Sequence, residues 1–256
     1  MEDTYNIKTI ILNRKSFSEC DSRVVVYSRE FGKLELTARG AKKIKSKLAG
    51  HLEPLSLTNI MAVRGRRHDY VGAALNENCF SNIKNDLTKL APAGRAVKII
   101  DQLIKPGLAD EKIFELLKNY LETLERPESV IPAPQNAGGI QKELYSDYRL
   151  TMLTQLFIFK LLALLGHQPE LSVCVSCVNK ILPGRNRFDL ARGGLVCSKC
   201  FNPKDANQLV ITDDSIKLLR LAVKCNFQQL QKIKISKKLG QEAGEIIDKF
   251  FKYSFN

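Results

Sequence analysis

The sequence predicts an α+β fold: a small five-stranded β-barrel at the N-terminal end, then an α-helical domain carrying a cysteine-rich ribbon. Three observations lead there. Five short β-patterned runs crowd into roughly residues 5–75. From Asp86 the apolar spacing changes from two to three-and-four. Two Cys-x-x-Cys pairs, nineteen residues apart, then interrupt the helical part.

The first strand is expected over Tyr5–Leu12, which is rich in β-branched residues, and the second over Ser22–Ser28. Phe31-Gly32-Lys33 reads as a tight turn. The third strand, Leu34–Ala38, alternates Leu34 and Leu36 against Glu35 and Thr37. Leu55–Val63 and Tyr70–Leu75 are the fourth and fifth, joined by the turn Arg64–Asp69. Five short strands in so short a stretch suggest a closed barrel of the OB-fold type over residues 1–80.

A helical domain is expected over 81–170. Leu87 to Ile104 has helical spacing and stops at Pro106-Gly107. Asp110 can cap a helix that buries Ile113, Phe114, Leu116, Leu117, Leu121 and Leu124 and ends at Arg126-Pro127. Glu128 to Gly139, rich in Pro and Gly, reads as a loop. Leu144–Leu165 is the longest helical pattern, with Gly166 as its stop. The cysteine-rich insertion spans 171–203, and C-terminal helices over 204–256 pack on the helical domain. One of them starts at Thr212–Ser215, and the last runs from Glu242 to Tyr253.

Cys174, Cys177, Cys197 and Cys200 have the spacing of a zinc ribbon. Two residues between cysteines let both thiolates turn back onto one ion, and zinc takes four tetrahedral ligands. Four thiolates leave no open position, so one structural Zn2+ is expected rather than a catalytic one. The turns at Pro183-Gly184 and Arg192–Gly194, with Phe188–Leu190 between them, fit a hairpin there. The alternatives are two disulfides or four unrelated thiols. Cys20, Cys79 and Cys225 are scattered, and thiols without a secretion signal point to a reducing cytoplasm. No run of eighteen apolar residues exists, so no membrane span is expected.

The net charge of +13 is unevenly placed. Residues 1–85 hold fifteen Lys and Arg against nine Asp and Glu; residues 86–170 hold ten against eleven; residues 171–256 hold fifteen against seven. Basic ends on a near-neutral middle suit a polyanion partner, nucleic acid first and an anionic membrane surface second. In the barrel the candidate contacts are Lys33 and Arg39, the loop residues Lys42, Lys43, Lys45 and Lys47, and the turn residues Arg64, Arg66 and Arg67. Tyr27, Phe31 and Tyr70 are candidate stacking platforms, with core packing as the alternative for each. Arg185 and Arg187 beside the ribbon, and Lys232, Lys234, Lys237 and Lys238 near the C-terminal end, form a second candidate surface.

No phosphate-binding loop, dinucleotide fingerprint or nucleophile elbow is present, and His51, His68 and His167 have no motif partners. A non-enzymatic protein is expected.

Glu19-x-Asp21, Phe31-Gly32-Lys33, Ala38-Arg39-Gly40-Ala41-Lys42-Lys43, Lys45-Ser46-Lys47-Leu48 and Leu52-Glu53-Pro54 together resemble the N-terminal signature of the RecO family, bacterial recombination mediators of DNA repair. The cysteine pairs fall where many members carry them. The resemblance implies binding of single- and double-stranded DNA and annealing of complementary strands. It also implies loading of RecA, together with RecR, onto DNA coated by single-strand-binding protein (SSB), and recognition of the SSB C-terminal tail by the helical domain. A bacterial cytosol or nucleoid location goes with it. The alternative is an RNA-binding or ribosome-associated protein with an OB-fold and a zinc ribbon. An enzyme with a zinc-stiffened lid is a further rival, disfavoured by the missing nucleotide motifs.

Overall fold

The computed structural model describes residues 3–126, 139–233 and 235–255. The stretch read as a Pro- and Gly-rich loop lies outside the described residues, apart from Gly139, and so does Lys234. By internal contacts the chain divides into Met1–Pro127 and Glu128–Asn256.

In the first unit, β1 (Thr4–Ser16), β2 (Ser22–Ser28), β3 (Gly32–Ala38), β4 (Leu57–Val63) and β5 (Tyr70–Asn78) close a barrel in the order β1-β2-β3-β5-β4. This is an OB-fold. Closure depends on the length of β1. Its first half pairs with β4, from Thr4 opposite Val63 to Ile10 opposite Leu57, and its second half pairs with β2, ending at Ser16 opposite Ser22. A bulge between Ile11 and Asn13 gives the extra bend that lets one strand serve both neighbours. Ile7, Ile11, Val24, Val26, Leu36, Leu52 and Ile60 fill the interior.

The outer face of β1 and β2 is covered as well. Ile10 and Tyr27 are cross-strand partners on that face, yet both are fully buried. Three helices of the same unit follow the barrel: α1 (Ser81–Lys84), α2 (Leu87–Leu103) and α3 (Glu111–Glu125). Tyr27 donates its hydroxyl to the carbonyl of Asp110, the residue that caps α3, and Asp110 accepts from the Lys112 amide. Tyr27 is therefore a core residue, not a stacking platform. Burial pushes its phenol up to about 12. Gly32 fixes the β2–β3 turn in the left-handed region, and a Cβ there would meet the Leu108 carbonyl oxygen at 2.0 Å. A sequence division at residue 80 gives these helices to a separate helical domain, whereas the contacts group them with the barrel.

The second unit is built on α4 (Gly139–Leu164), whose buried face includes Met152, Leu156, Phe157, Phe159 and Leu161. Its end is a Schellman motif. Gly166 has a φ of 87°, the His167 amide donates to the Leu162 carbonyl, and the Gly166 amide donates to Ala163. A small sheet, β6 (Arg187–Asp189) between β7 (Gly194–Val196) and β8 (Gln208–Val210), follows. Then come α5 (Asp213–Lys224), capped by Thr212, the short α6 (Phe227–Gln231) and α7 (Lys237–Phe255). Gly240 and Gly244, one turn apart on α7, let it lie close to α4. A Cβ on Gly240 would sit 1.6 Å from the Tyr148 hydroxyl. Phe188 of the ribbon meets Phe250 of α7 edge to face at 5.4 Å, so the ribbon is packed on the helices.

Candidate nucleic-acid interface and metal centre

Three loops of the barrel converge because of how its strands pair. Ser16 faces Ser22 and Ser22 faces Ala38, so the β1–β2 turn lies beside the end of β3. The parallel pairing of Thr37 with Tyr70 sets the end of β3 beside the start of β5. The turn 17–21, the loop 39–48 and the turn 64–69 therefore emerge next to one another. OB-folds bind oligonucleotides with the first and last of these loops and the face between them.

Specific bonds hold the arrangement. The Gly40 amide donates to Asp21 Oδ1 at 2.8 Å, and the Lys42 amide donates to the Cys20 carbonyl at 2.9 Å. The Arg39 guanidinium lies over the Tyr70 ring, 3.8 Å from its centroid, which ties the second loop to the third. Arg64 pairs with Asp3 at 3.2 Å and lies 5.4 Å from the centroid of Tyr5. Tyr5 donates to Asp69 Oδ2, and burial, with this bond second, raises its phenol to about 12. Phe31 meets Tyr5 edge-on at 5.3 Å and stays partly exposed.

The candidate cations sort into two groups. Lys43, Lys45, Lys47, Arg66 and Arg67 are exposed, and no side-chain hydrogen bond or ion pair to another described residue ties them down. The others are engaged. Lys33, only 16% exposed at its side chain, pairs with Asp101 at 2.7 Å. Lys42 donates to Ser16 Oγ and to the Ser18 carbonyl. Phe17, on the β1–β2 turn, went unread in the sequence. It is half exposed, with the Arg23 guanidinium 4.1 Å from its ring centroid. Its signal was an aromatic placed in a polar turn.

In the second unit Arg185 is exposed, whereas Arg187 lies 5.2 Å from the Phe201 ring centroid. Lys232, Lys237 and Lys238 are exposed. Lys237 and Lys238 stand in the first turn of α7, where the helix dipole disfavours cations by a few tenths of a kcal/mol or more.

The four cysteines come together as the spacing requires. Their sulfur atoms all lie within 4.8 Å of one another, and those of Cys177 and Cys197 are 3.9 Å apart. A tetrahedral ion with sulfur ligands at about 2.3 Å spaces them by about 3.8 Å, so the donor set fits a metal ion. The Val175 amide donates to the Leu195 carbonyl and draws the two knuckles together. Burial opposes ionisation of Cys174, but amides of Cys197, Cys177 and Ser176 outweigh it and bring the thiol down to about 6. Asp189, almost fully buried, accepts from the Arg192 amide and from Gln208, which locks the turn between β6 and β7. Among the described residues this is the one cluster of three or more Cys, His or acidic groups placed to hold a metal, and no helix is long and apolar enough to cross a membrane.

Fold and site together define an OB-fold protein with a basic loop face and a four-thiol metal ribbon set in a helical unit. The model for the N-terminal part of recombination protein O matches residues 1–74, and that for its C-terminal part matches residues 143–255. The chain belongs to the RecO family. Among its relatives are proteins named DNA repair protein RecO from three sources. That of Alkaliphilus metalliredigens is 24% identical over 95% of this chain and 92% of its own length. That of Dehalococcoides mccartyi is 27% identical over 93% and 85%. That of a Roseiflexus species is 28% identical over 92% and 73%.

Proposed function

We propose that this chain is a DNA repair recombination mediator that binds single- and double-stranded DNA and anneals complementary strands. With RecR it helps load RecA onto single-stranded DNA coated by SSB. The observation that carries the reading is the convergence of the loops 39–48 and 64–69, which brings the exposed Lys43, Lys45, Lys47, Arg66 and Arg67 to one end of an OB barrel. Contacts of this kind go to phosphates and are indifferent to sequence. Lys232, Lys237 and Lys238, with Arg185, are exposed cations of the second unit and supply a second set of DNA contacts. Two such sets hold two strands and screen the repulsion between their backbones, as annealing requires.

The metal is one Zn2+, held by Cys174, Cys177, Cys197 and Cys200. Four thiolates close its coordination shell, so it braces the ribbon and supplies no chemistry. The protein acts without catalysis, in the bacterial cytosol. The SSB tail seats in the helical unit, where Met152, Leu153 and Leu156 of α4 line a groove with Leu230, Ile233 and Ile235, and Tyr148 and Arg149 add a phenol and a cation to it.

Binding of fluorescent oligonucleotides across a salt series, with an annealing assay, tests the reading. We expect affinity for DNA of any sequence that falls log-linearly with salt, and accelerated annealing. A clear preference for RNA with no annealing would hand the assignment to an RNA-binding OB protein.

A further inference from the structure

We propose that Ile44 is an apolar wedge that enters between base steps of duplex DNA held by the lysines on either side of it. This rests on the DNA-binding reading above. Ile44 is the most exposed large hydrophobic residue of the described chain, with a relative exposure of 105%. Its loop is not loosely strung. Ala41 is buried in the barrel core, Leu48 packs against that core, and Leu52 is fully buried. The Ser46 amide donates to the Lys43 carbonyl at 2.9 Å and closes a turn with Ile44 and Lys45 at its corners. The loop thus buries its other apolar residues and holds this one in water.

Turn corners favour Gly, Pro, Asn and Asp, so local geometry gives no reason for a β-branched residue there. The neighbours in sequence are Lys43, Lys45 and Lys47, all exposed. An apolar side chain framed by phosphate-binding cations is the composition of proteins that unstack and kink a duplex by inserting a wedge. A lipid surface is the competing occupant. It is disfavoured because the only large apolar neighbour on the adjoining turn is the half-exposed Phe17, which the Arg23 guanidinium covers at 4.1 Å, whereas interfacial anchoring needs a broad apolar face. An unstacked step is also where pairing is readily exchanged, which suits a protein that handles complementary strands.

The test uses the full chain, a duplex carrying 2-aminopurine, and the variants Ile44→Ala, Ile44→Leu and Lys45→Ala. Thermal unfolding should be the same for all, since the tip packs on nothing. Saturating wild-type protein should raise 2-aminopurine fluorescence, and Ile44→Ala should abolish the rise. That variant should weaken duplex binding about three- to tenfold, as expected for losing one inserted aliphatic side chain net of unstacking. Its salt slope should not change, because no phosphate contact is lost. Ile44→Leu should restore both signals. Lys45→Ala should do the reverse, lowering the slope by about 0.9 while keeping the fluorescence rise at saturation. Unchanged duplex affinity and fluorescence in Ile44→Ala would overturn the wedge and leave DNA binding standing. Absence of duplex binding by the unaltered chain would remove both. Binding to phosphatidylserine vesicles that Ile44→Ala abolishes, with DNA binding intact, would overturn the wedge in favour of a lipid surface.

Discussion

Removing Lys43, Lys45 and Lys47 together, each to Ala, should separate phosphate contacts from structural lysines. All three are exposed and their side chains make no hydrogen bond or ion pair with other described residues, so truncating them costs the fold little. If each neutralises one phosphate, the slope of log affinity against log salt should fall by about 2.7 on duplex and about 2.1 on single strands. Between 50 and 200 mM salt, the duplex figure is a roughly forty-fold difference in how far affinity drops. Lys33→Ala is the control. Its ammonium is paired with Asp101, so the variant should lose thermal stability and keep its slope. Fluorescence anisotropy at five or more salt concentrations, on two unrelated sequences, reads both quantities. A triple variant with an unaltered slope would show that these lysines only solvate the loop. A slope loss confined to one sequence would contradict backbone recognition.

Cys197→Ser, or a strong chelator, should lower the melting temperature and release one metal per chain, with the barrel's salt slope retained; elemental analysis and calorimetry check this, and four freely reactive thiols in protein free of metal would refute the zinc site. Lowering pH should weaken metal retention, because protons compete with the metal for the four thiolates. Changing Lys232, Lys237 and Lys238 to Ala should slow annealing more than it weakens binding of one strand, and a stopped-flow annealing rate equal to wild type would leave the barrel as the sole DNA surface. Tyr27 gives a pH signature. Its folded value, about 12, lies above the ordinary value of 10.0, so the neutral form is favoured on folding. The stability this contributes is complete below about pH 10 and is lost as pH rises towards 12. Urea unfolding of Tyr27→Phe should show a shallower loss across that window than wild type does.

Much of the fold was legible because its signals are local. The alternation in Leu34–Ala38, the cap at Asp110, the stop at Gly166 and the Cys-x-x-Cys spacing each report a short-range constraint. The end of β1 was missed because Asn13–Ser16 is polar, and it is a strand only because β2 lies opposite. The sequence left Tyr27 between core packing and a stacking platform, because the helices that bury it begin more than fifty residues later. Lys33 looked like a phosphate ligand because Asp101 is sixty-eight residues away. The short α6 did have a readable signal, the capping box from Asn226 to Gln229, which was overlooked among the lysines. Charge counting found the basic loops but could not separate free cations from engaged ones.

The rung between Thr37 and Tyr70, supported by the Thr37 amide on the Asp69 carbonyl, is all the ladder that joins β3 to β5. Every other joint of the barrel has many rungs. This thin joint separates the two most cationic loops, whose mutual repulsion pulls on it whenever no counter-charge is near. A polyanion laid across both loops would act as a clasp. Breathing of the barrel should therefore be fastest here in the free protein and be suppressed by ligand, so hydrogen exchange at the Thr37 amide should report occupancy directly.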